Sequence, residues 1–313
     1  MKARGQEPEI KLPNYRLRRI ITLMVVLVLV AMTSTGVAWK SGAFRTPVVL
    51  SAAPVPNAIP LRNSCSAGYV TFTFDDGPGP APGYEGNTQA VINELVALHV
   101  PAVFFVIGTS IDQNPLGPEV IREEVRYGFL VENHTYTHDS FTGFSTHTKP
   151  MTNAQVITEL VKGNEAIEAA GAPKPTLWRP PFGDVTAQQA YLASTLGLRT
   201  VTDYSDIGTN TLDSSNILDS RDWEPISPAQ IAQSITSGYY QPGPSSWAKT
   251  QRVLPIHAGD ILAFHDGDKY AAATAASLQP IVIYMNAHHL CATSTVPADG
   301  TGGMVPNYPV KGD

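Results

Sequence analysis

Segments with strand-like and helix-like patterns alternate along most of this chain, and this alternation constrains its fold more than any other feature. The run "NTQAVINELVALHV" at 87–100 has apolar residues at helical spacing, and the buried-strand run "PAVFFVIGT" follows it directly. Six or seven such units follow one another between residues 66 and 293. Alternating patterns predict parallel β–α units. We therefore expect an α/β fold, a distorted (β/α)7-type barrel in a single domain, although periodicity alone leaves the closure of the barrel open.

The N-terminal region has the pattern of an export signal. Basic residues at 16, 18 and 19 precede an apolar run from Ile20 to Met32, and small residues follow up to Ala38. The segment is also nearly long enough to span a bilayer, so a cleaved signal and a retained membrane anchor both stay open. This pattern predicts a protein that is secreted or anchored to the cell membrane facing outward. The predicted organisation is a basic tail at 1–19, a signal or anchor at 20–38, a Pro/Ala-rich spacer at 39–63, a folded domain at 64–295 and a flexible tail at 296–313.

Charge and cysteine content agree with an exported protein. The formal net charge is -6 and no basic stretch is long enough for a nucleic-acid surface, so we expect no nucleic-acid partner. Two cysteines are present, Cys65 just before the first strand and Cys291 near the end of the folded region. An even number of cysteines in an exported chain predicts a disulfide. Such a bond would tie the two ends of the domain together.

Two adjacent aspartates stand at the end of the first predicted strand, in "YVTFTFDDGPGP" at 69–80. Val70, Phe72 and Phe74 share one face of this strand, and the glycines and prolines after it end it. Asp75 and Asp76 are like charges, and they are either solvated at an exposed strand end or compensated by a cation. The second possibility requires further ligands.

Histidines at a suitable spacing follow another strand, in "FLVENHTYTH". His134 and His138 are four residues apart, and on a helical turn this spacing places both rings on one face, where they could bind one cation. Three more predicted strand or loop ends carry reactive side chains, namely Arg179, Asp222 with Trp223, and His265. In a parallel barrel, strand ends share one rim where active sites form. The sequence therefore predicts one site that contains all of these residues.

These residues resemble a known family. The segments "TFDDGP", "NHTYTH", "RPPFG", "RDW" and "ILAFHD" are similar, in order, to the five motifs of the polysaccharide deacetylases, the NodB-homology domains of carbohydrate esterase family 4. The resemblance implies a distorted barrel and a divalent metal, usually zinc, with cobalt, nickel or manganese as alternatives. It also implies removal of acetyl groups from N-acetylglucosamine polymers such as peptidoglycan or chitin, or from acetylated xylan. We expect a monomer that acts on a polysaccharide.

The resemblance also assigns roles to individual residues. Asp76, His134 and His138 would bind the metal, and Asp75 would be the general base, held by Arg179. His265 would protonate the leaving amine, oriented by Asp222. The remaining predicted contacts are with substrate: the backbone N–H of Phe182 would stabilise the oxyanion, and Trp223 and Leu262 would line the pocket for the acetyl methyl group.

One motif departs from the family pattern, because a long insertion precedes "RDW". Asp203 and Asp206 therefore compete with Asp222 for the role of orienting His265. The stretches 204–220 and 238–258 are predicted to be long loops. A catalytically inactive, glycan-binding surface protein is the alternative to an enzyme, although the complete set of motif residues argues against it.

Overall fold

The computed structural model of the protein describes residues 60–62, 64–83, 85–202, 217–241 and 251–296. The predicted signal or anchor and the two competing aspartates, Asp203 and Asp206, lie outside these ranges. Within them, strands and helices alternate as the sequence predicts. The elements are β1 Gly68–Asp75, α1 Thr88–Leu98, β2 Ala102–Val106, α2 Gly108–Gln113, α3 Gly117–Arg126, β3 Leu130–Asn133, α4 Asn153–Ala170, β4 Leu177–Trp178, α5 Ala187–Thr195, β5 Arg199–Thr200, β6 Ile217–Asp219, α6 Pro228–Ser237, β7 Tyr239–Gln241, β8 Gln251–Val253, β9 Ile261–His265, α7 Ala271–Ala287 and β10 Leu290–Thr293.

Eight of these strands form one parallel sheet. Its order is β5-β4-β3-β2-β1-β9-β6, and β10 pairs with the first half of β1. Every pairing in this sheet is parallel, because helices or longer segments connect successive strands. The sheet is curled. Among the described strands, its two edge strands, β5 and β6, do not pair with each other, so it is an open half-barrel. The predicted α/β fold, a (β/α)7-like barrel in a single domain, is confirmed.

Side-chain caps fix where several helices begin. The Asn87 side chain accepts a hydrogen bond from the Ala90 N–H, and α4 begins with a capping box between Thr152 and Gln155. The same helix ends at Gly171, whose φ of 107° is a left-handed conformation that favours glycine. Each N-cap of this kind contributes about 0.5–2 kcal/mol to stability.

Strand β1 separates the apolar core from the polar side of the sheet. Val70, Phe72 and Phe74 all belong to the main apolar core, and the Phe74 ring stacks on those of Phe104 and Phe264 with centroids 5.2 and 5.3 Å apart. The alternate residues of β1 point the other way. The last of them is Asp75, and it is therefore directed to the concave side.

Parts of the predicted loops are regular structure. Residues 217–219 form β6, which pairs with β9, and β7 and β8 form an antiparallel hairpin. The expectation of long loops at 204–220 and 238–258 is wrong at these positions, because strands of three residues are too short to show a periodic pattern. Helix α7 begins at Ala271, in an alanine-rich stretch that favours helix.

Residues just outside the predicted domain at 64–295 pack against it. The Leu61 N–H donates to the Leu98 carbonyl at 2.8 Å, and the Leu61 side chain packs against the core. At the other end, Val296 is buried and its carbonyl accepts a hydrogen bond from Arg199 at 3.0 Å. These packed residues next to the predicted spacer and tail were not expected from composition, which does not reveal such contacts.

A disulfide joins the two ends of the domain, as predicted. Cys65 and Cys291 are bonded with a Cα–Cα distance of 5.1 Å and a sequence separation of 226 residues. Cys291 lies on β10, which pairs with the start of β1. The bond indicates an oxidising compartment. In the part of the chain that the structure describes, no helix has both the length and the apolar character needed to cross a bilayer.

Replacing Cys65 with serine should lower the free energy of unfolding by about 3–5 kcal/mol, because the bond closes a very long loop in the unfolded chain. For a domain of this size, this corresponds to a fall in Tm of roughly 6–20 °C. Thermal unfolding of the oxidised protein and the Cys65→Ser variant measures the difference. Two free thiols in the denatured, unreduced wild type would contradict the assignment.

Candidate active site and metal centre

The residues predicted to be functional lie together at the C-terminal ends of the parallel strands. Asp75 ends β1 and is in register with His265 at the end of β9, and His134 and Arg179 directly follow β3 and β4. Because parallel strands carry their C-terminal ends on one edge, these side chains converge. A cavity of about 510 Å³ opens there, and its lining includes Asp75, Asp76, His134, His138, Arg179, Phe182, Trp223 and His265.

Three of these side chains form a group suited to a metal ion. One potential ligand atom from each of Asp76, His134 and His138 lies within 4.8 Å of the other two. Asp76 Oδ1 is 3.3 Å from His134 Nε2 and 3.1 Å from His138 Nε2. In a tetrahedral zinc site with bonds of about 2.0–2.1 Å, neighbouring ligand atoms are about 3.3 Å apart. These spacings therefore fit such an ion.

The hydrogen bonds around this group also fit a metal. Asp76 Oδ1 is buried, and no hydrogen bond of good geometry reaches it from the described residues. His134 Nδ1 lies 2.8 Å from the Arg179 carbonyl oxygen, which can only accept, so Nδ1 carries a proton and Nε2 is the nitrogen that faces Asp76 and can bind a metal. Burial raises the pKa of Asp76, but His138 and His134 outweigh this effect and hold the pKa well below its usual value.

The two histidines lie on an irregular turn, and the predicted helical turn is wrong. Thr135 and His138 have φ values of 68° and 63°, in the left-handed region. The turn is closed by side chains instead: the Thr135 N–H donates to Asn133 Oδ1 at 2.6 Å, and the His138 N–H donates to Thr135 Oγ1 at 3.1 Å. Side-chain bonds of this kind compete with helix formation. They still bring both rings to Asp76.

Asp75 makes a separate interaction with a buried arginine. Arg179 Nη1 donates to Asp75 Oδ1 at 2.8 Å and to Thr73 Oγ1 at 2.9 Å, and the guanidinium lies over the Phe105 ring at 4.4 Å. Both partners are about 5% exposed. These contacts fix the orientation of the Asp75 carboxylate beside the metal-binding group.

At the end of the neighbouring strand β9, Asp222 holds His265. Asp222 Oδ1 lies 2.8 Å from His265 Nδ1, and Oδ2 accepts hydrogen bonds from the His265 N–H at 2.8 Å and from Thr274 Oγ1 at 2.7 Å. Burial lowers the pKa of His265, but Asp222 and, more weakly, Asp76 and Asp75 raise it well above its usual value. The imidazole therefore keeps its proton to a higher pH than a free histidine.

Two half-exposed aromatic side chains line the cavity. The Phe182 ring lies 4.8 Å from that of His138, and Phe182 has a φ of 59°. The Trp223 indole Nε1 donates to Asp219 Oδ2 at 3.3 Å. Phe182 and Trp223 are thus both located where a substrate group in the cavity would meet them.

Leu262 does not line the cavity, and this prediction is wrong. Its side chain is fully buried in the main apolar core with Phe264. Alternate residues of a strand point to opposite faces, so the cavity side of β9 carries Ala263 and His265. The run "ILAFH" is apolar on both faces, and the sequence therefore did not show which residues face the cavity.

Asp219 and Asp268 also line the cavity, and sequence reasoning did not identify them. Asp219 ends the short strand β6, which was read as a loop. Asp268 follows His265 by three residues, and its Oδ1 accepts a hydrogen bond from the Tyr270 N–H at 2.9 Å. The signals that could have found them are their positions beside the motif residues Asp222 and His265.

Comparison with known proteins gives consistent matches. The family model described as "Polysaccharide deacetylase" matches residues 62–201. A bifunctional xylanase/xylan deacetylase from Cellvibrio japonicus is 32% identical over 230 residues, which cover 73% of this chain and 27% of that protein. Chitin deacetylase 1 from Cryptococcus neoformans var. grubii is 27% identical over 60% of this chain and 33% of its own length. The chain thus spans about a quarter to a third of the length of these relatives.

Among solved structures, a family 4 carbohydrate esterase from Streptomyces lividans, in complex with acetate, aligns with a TM-score of 0.56 and 27% identity. The alignment covers 77% of this chain and 98% of that structure. The similarity therefore extends over essentially the whole of a single esterase domain. With the five motifs gathered around one cavity, the chain belongs to the polysaccharide deacetylase family, the NodB-homology domains of carbohydrate esterase family 4.

Proposed function

We propose that this protein is a metal-dependent deacetylase of an extracellular polysaccharide. The observation that carries the proposal is the placement of three chemically distinct groups around one cavity: the Asp76 group suited to a metal, the Asp75–Arg179 pair, and the Asp222–His265 pair. Hydrolysis of an acetyl group needs an activated water, a base and an acid. This arrangement offers a residue set for each, which argues against an inactive glycan-binding protein.

Asp76, His134 and His138 hold the metal in this proposal. Their mixture of two imidazoles and one carboxylate is a typical catalytic zinc set and leaves coordination positions for other ligands. When bound, the ion supplies a Lewis acid and lowers the pKa of water. Zinc is the proposed metal, with cobalt, nickel or manganese as alternatives.

Asp75 is the proposed general base. Its carboxylate lies beside the metal-binding group without being part of it, and Arg179 keeps it in one orientation. It accepts the proton of the attacking water. The backbone N–H of Phe182 is proposed to stabilise the oxyanion, which develops on the acetyl oxygen as the tetrahedral intermediate forms.

His265 is the proposed general acid. It donates its proton to the leaving nitrogen, which departs poorly as an anion. Asp222 accepts from Nδ1 and so directs the other ring nitrogen away from itself. Trp223, on the wall of the cavity, is proposed to contact the acetyl methyl group.

The proposed substrate is an N-acetylglucosamine polymer of the peptidoglycan or chitin type. The match to a chitin deacetylase supports this choice. The alternative is an acetylxylan esterase, which the match to a xylanase/xylan deacetylase supports. We propose a monomer.

We further propose that residues 20–38 are a signal peptide or an outward-facing membrane anchor, preceded by a basic tail at 1–19. Residues from 39 to the start of the described domain form a spacer, and the residues after 296 form a flexible tail. The protein is then secreted or attached to the outer face of the cell membrane. The disulfide supports this location, since it requires an oxidising compartment.

Acetate release tests the proposed activity. The zinc-loaded protein should release acetate from at least one of peptidoglycan, chitin oligomers and acetylxylan, and a chelator should abolish the release until zinc is restored. The polymer that gives the highest kcat/KM decides between the amide and ester substrates. No release from any of these polymers by folded, metal-loaded protein would contradict the proposal.

Substitutions in the pair of aspartates and in the histidines should separate metal binding from turnover. His134→Ala or His138→Ala should lose both the metal and activity, because two ligands hold the ion poorly. Asp75→Asn should keep the metal and lower kcat by about 10²–10⁴-fold, since only the base is removed. Metal analysis of the purified variants measures the difference. Loss of metal from Asp75→Asn, together with full metal in Asp76→Asn, would reverse the assignment.

The pH dependence should depend on Asp222. His265 acts as an acid only while protonated, and its raised pKa keeps activity high as the pH rises. Asp222→Asn removes the largest favourable charge, so the pKa of His265 should fall and the alkaline limb of kcat/KM should move to lower pH. Thr274→Val is the control, because it removes one hydrogen bond to Asp222 and retains the charge. An alkaline limb that does not move in Asp222→Asn would disprove the role of His265 as the acid.

A further inference from the structure

The turn that carries the two histidines depends on a glutamate from a distant helix. A buried backbone N–H needs a hydrogen-bond acceptor, and this turn has no regular ladder to supply one. The Tyr136 and Thr137 N–H groups instead donate to one oxygen, Oε2 of Glu159, at 3.1 and 2.8 Å. Thr137 Oγ1 lies 3.0 Å from the same oxygen and 3.0 Å from Asp139 Oδ2, and can donate to either. Glu159 is 9% exposed and belongs to α4.

The same face of α4 holds the residue that begins the turn. Asn133 Nδ2 donates to the Leu160 carbonyl at 2.8 Å and to Asn164 Oδ1 at 2.7 Å. Its Oδ1 is thereby left to accept the Thr135 N–H. A Cβ at Gly163 would lie 2.5 Å from that Asn133 oxygen, so only glycine allows this close approach. The contact residues 159, 160, 163 and 164 share one face of the helix.

The backbone of the turn is one that a free chain rarely adopts. Thr135 and His138 are left-handed non-glycine residues, and such conformations persist when the surroundings fix them. The direct bond from His138 to Thr135 closes the turn but leaves the two central N–H groups to be satisfied. Glu159 is their acceptor, although it is neither one of the three potential metal ligands nor part of the cavity lining.

We propose that α4 fixes the conformation of the turn that carries the metal ligands, and that Glu159 is a positioning residue that sets the spacing of His134 and His138. The inference rests on the proposed metal site. Groups that orient metal ligands typically change metal affinity by 10–100-fold when they are removed, because the ligand spacing relaxes. Glu159 acts in this way through the backbone between the two ligands.

The test measures the Kd for zinc in the full chain, by competition with a coloured chelator, alongside the Tm of the metal-free protein. Glu159→Ala should weaken zinc binding by about tenfold or more. Glu159→Gln keeps an acceptor oxygen and removes the charge, so it should stay within a few-fold of wild type. Glu165→Ala, on an exposed part of the same helix, is the matched control and should bind zinc as wild type does.

Three outcomes would overturn the inference: wild-type zinc affinity in Glu159→Ala with only a lower Tm, loss in Glu159→Gln equal to that in Glu159→Ala, or an equal loss in Glu165→Ala. If Glu159→Ala does not fold, Gly163→Ala decides. Alanine favours helix, but its Cβ would displace Asn133, so zinc affinity should fall. An unchanged zinc affinity in Gly163→Ala would refute the proposed role of α4. A wild type that does not bind zinc would instead refute the proposed function.

Discussion

Two adjacent carboxylates at the end of one strand impose the constraint on which this site depends. Asp75 and Asp76 repel each other unless each has its own compensation. The chain separates them by conformation: Asp75 is the last residue of the extended strand, whereas Asp76 has a left-handed φ of 75°. Asp75 consequently meets Arg179, and Asp76 meets the two histidines. The neighbouring strands supply these partners because parallel strands end on the same edge.

This separation gives the two carboxylates different chemical capacities. Asp76 lies against imidazole rings that lower its pKa, so it is suited to bind a cation. Asp75 is held by a guanidinium that cannot accept a proton, which leaves the carboxylate as the proton acceptor. His265, at the end of β9, faces the cavity, whereas its partner carboxylate, Asp222, is buried in the turn after β6. Asp75 and His265, the proposed base and acid, thus lie on the neighbouring strands β1 and β9.

The sequence predicted the parts of the site that depend on strand ends. Asp75, His134, Arg179 and His265 all stand at the ends of predicted strands, and the rule that parallel strands share an edge brings them together. Backbone conformation was not predictable in the same way. The spacing of His134 and His138 fits a helical turn, but side-chain bonds to Asn133 and Thr135 hold an irregular turn with two left-handed residues. Leu262 was misplaced because β9 is apolar on both faces. Glu159 gave no local signal, since its contacts depend on packing of distant segments.

The assignment of Asp76, and not Asp75, to the metal is the central claim, and crystallography at the zinc absorption edge tests it most directly. An anomalous map of the zinc-loaded protein should show one peak within about 2.0–2.2 Å of Asp76 Oδ1, His134 Nε2 and His138 Nε2. Asp75 should remain paired with Arg179 and outside this distance. A peak that is coordinated by Asp75, or that lies away from both histidines, would contradict the account.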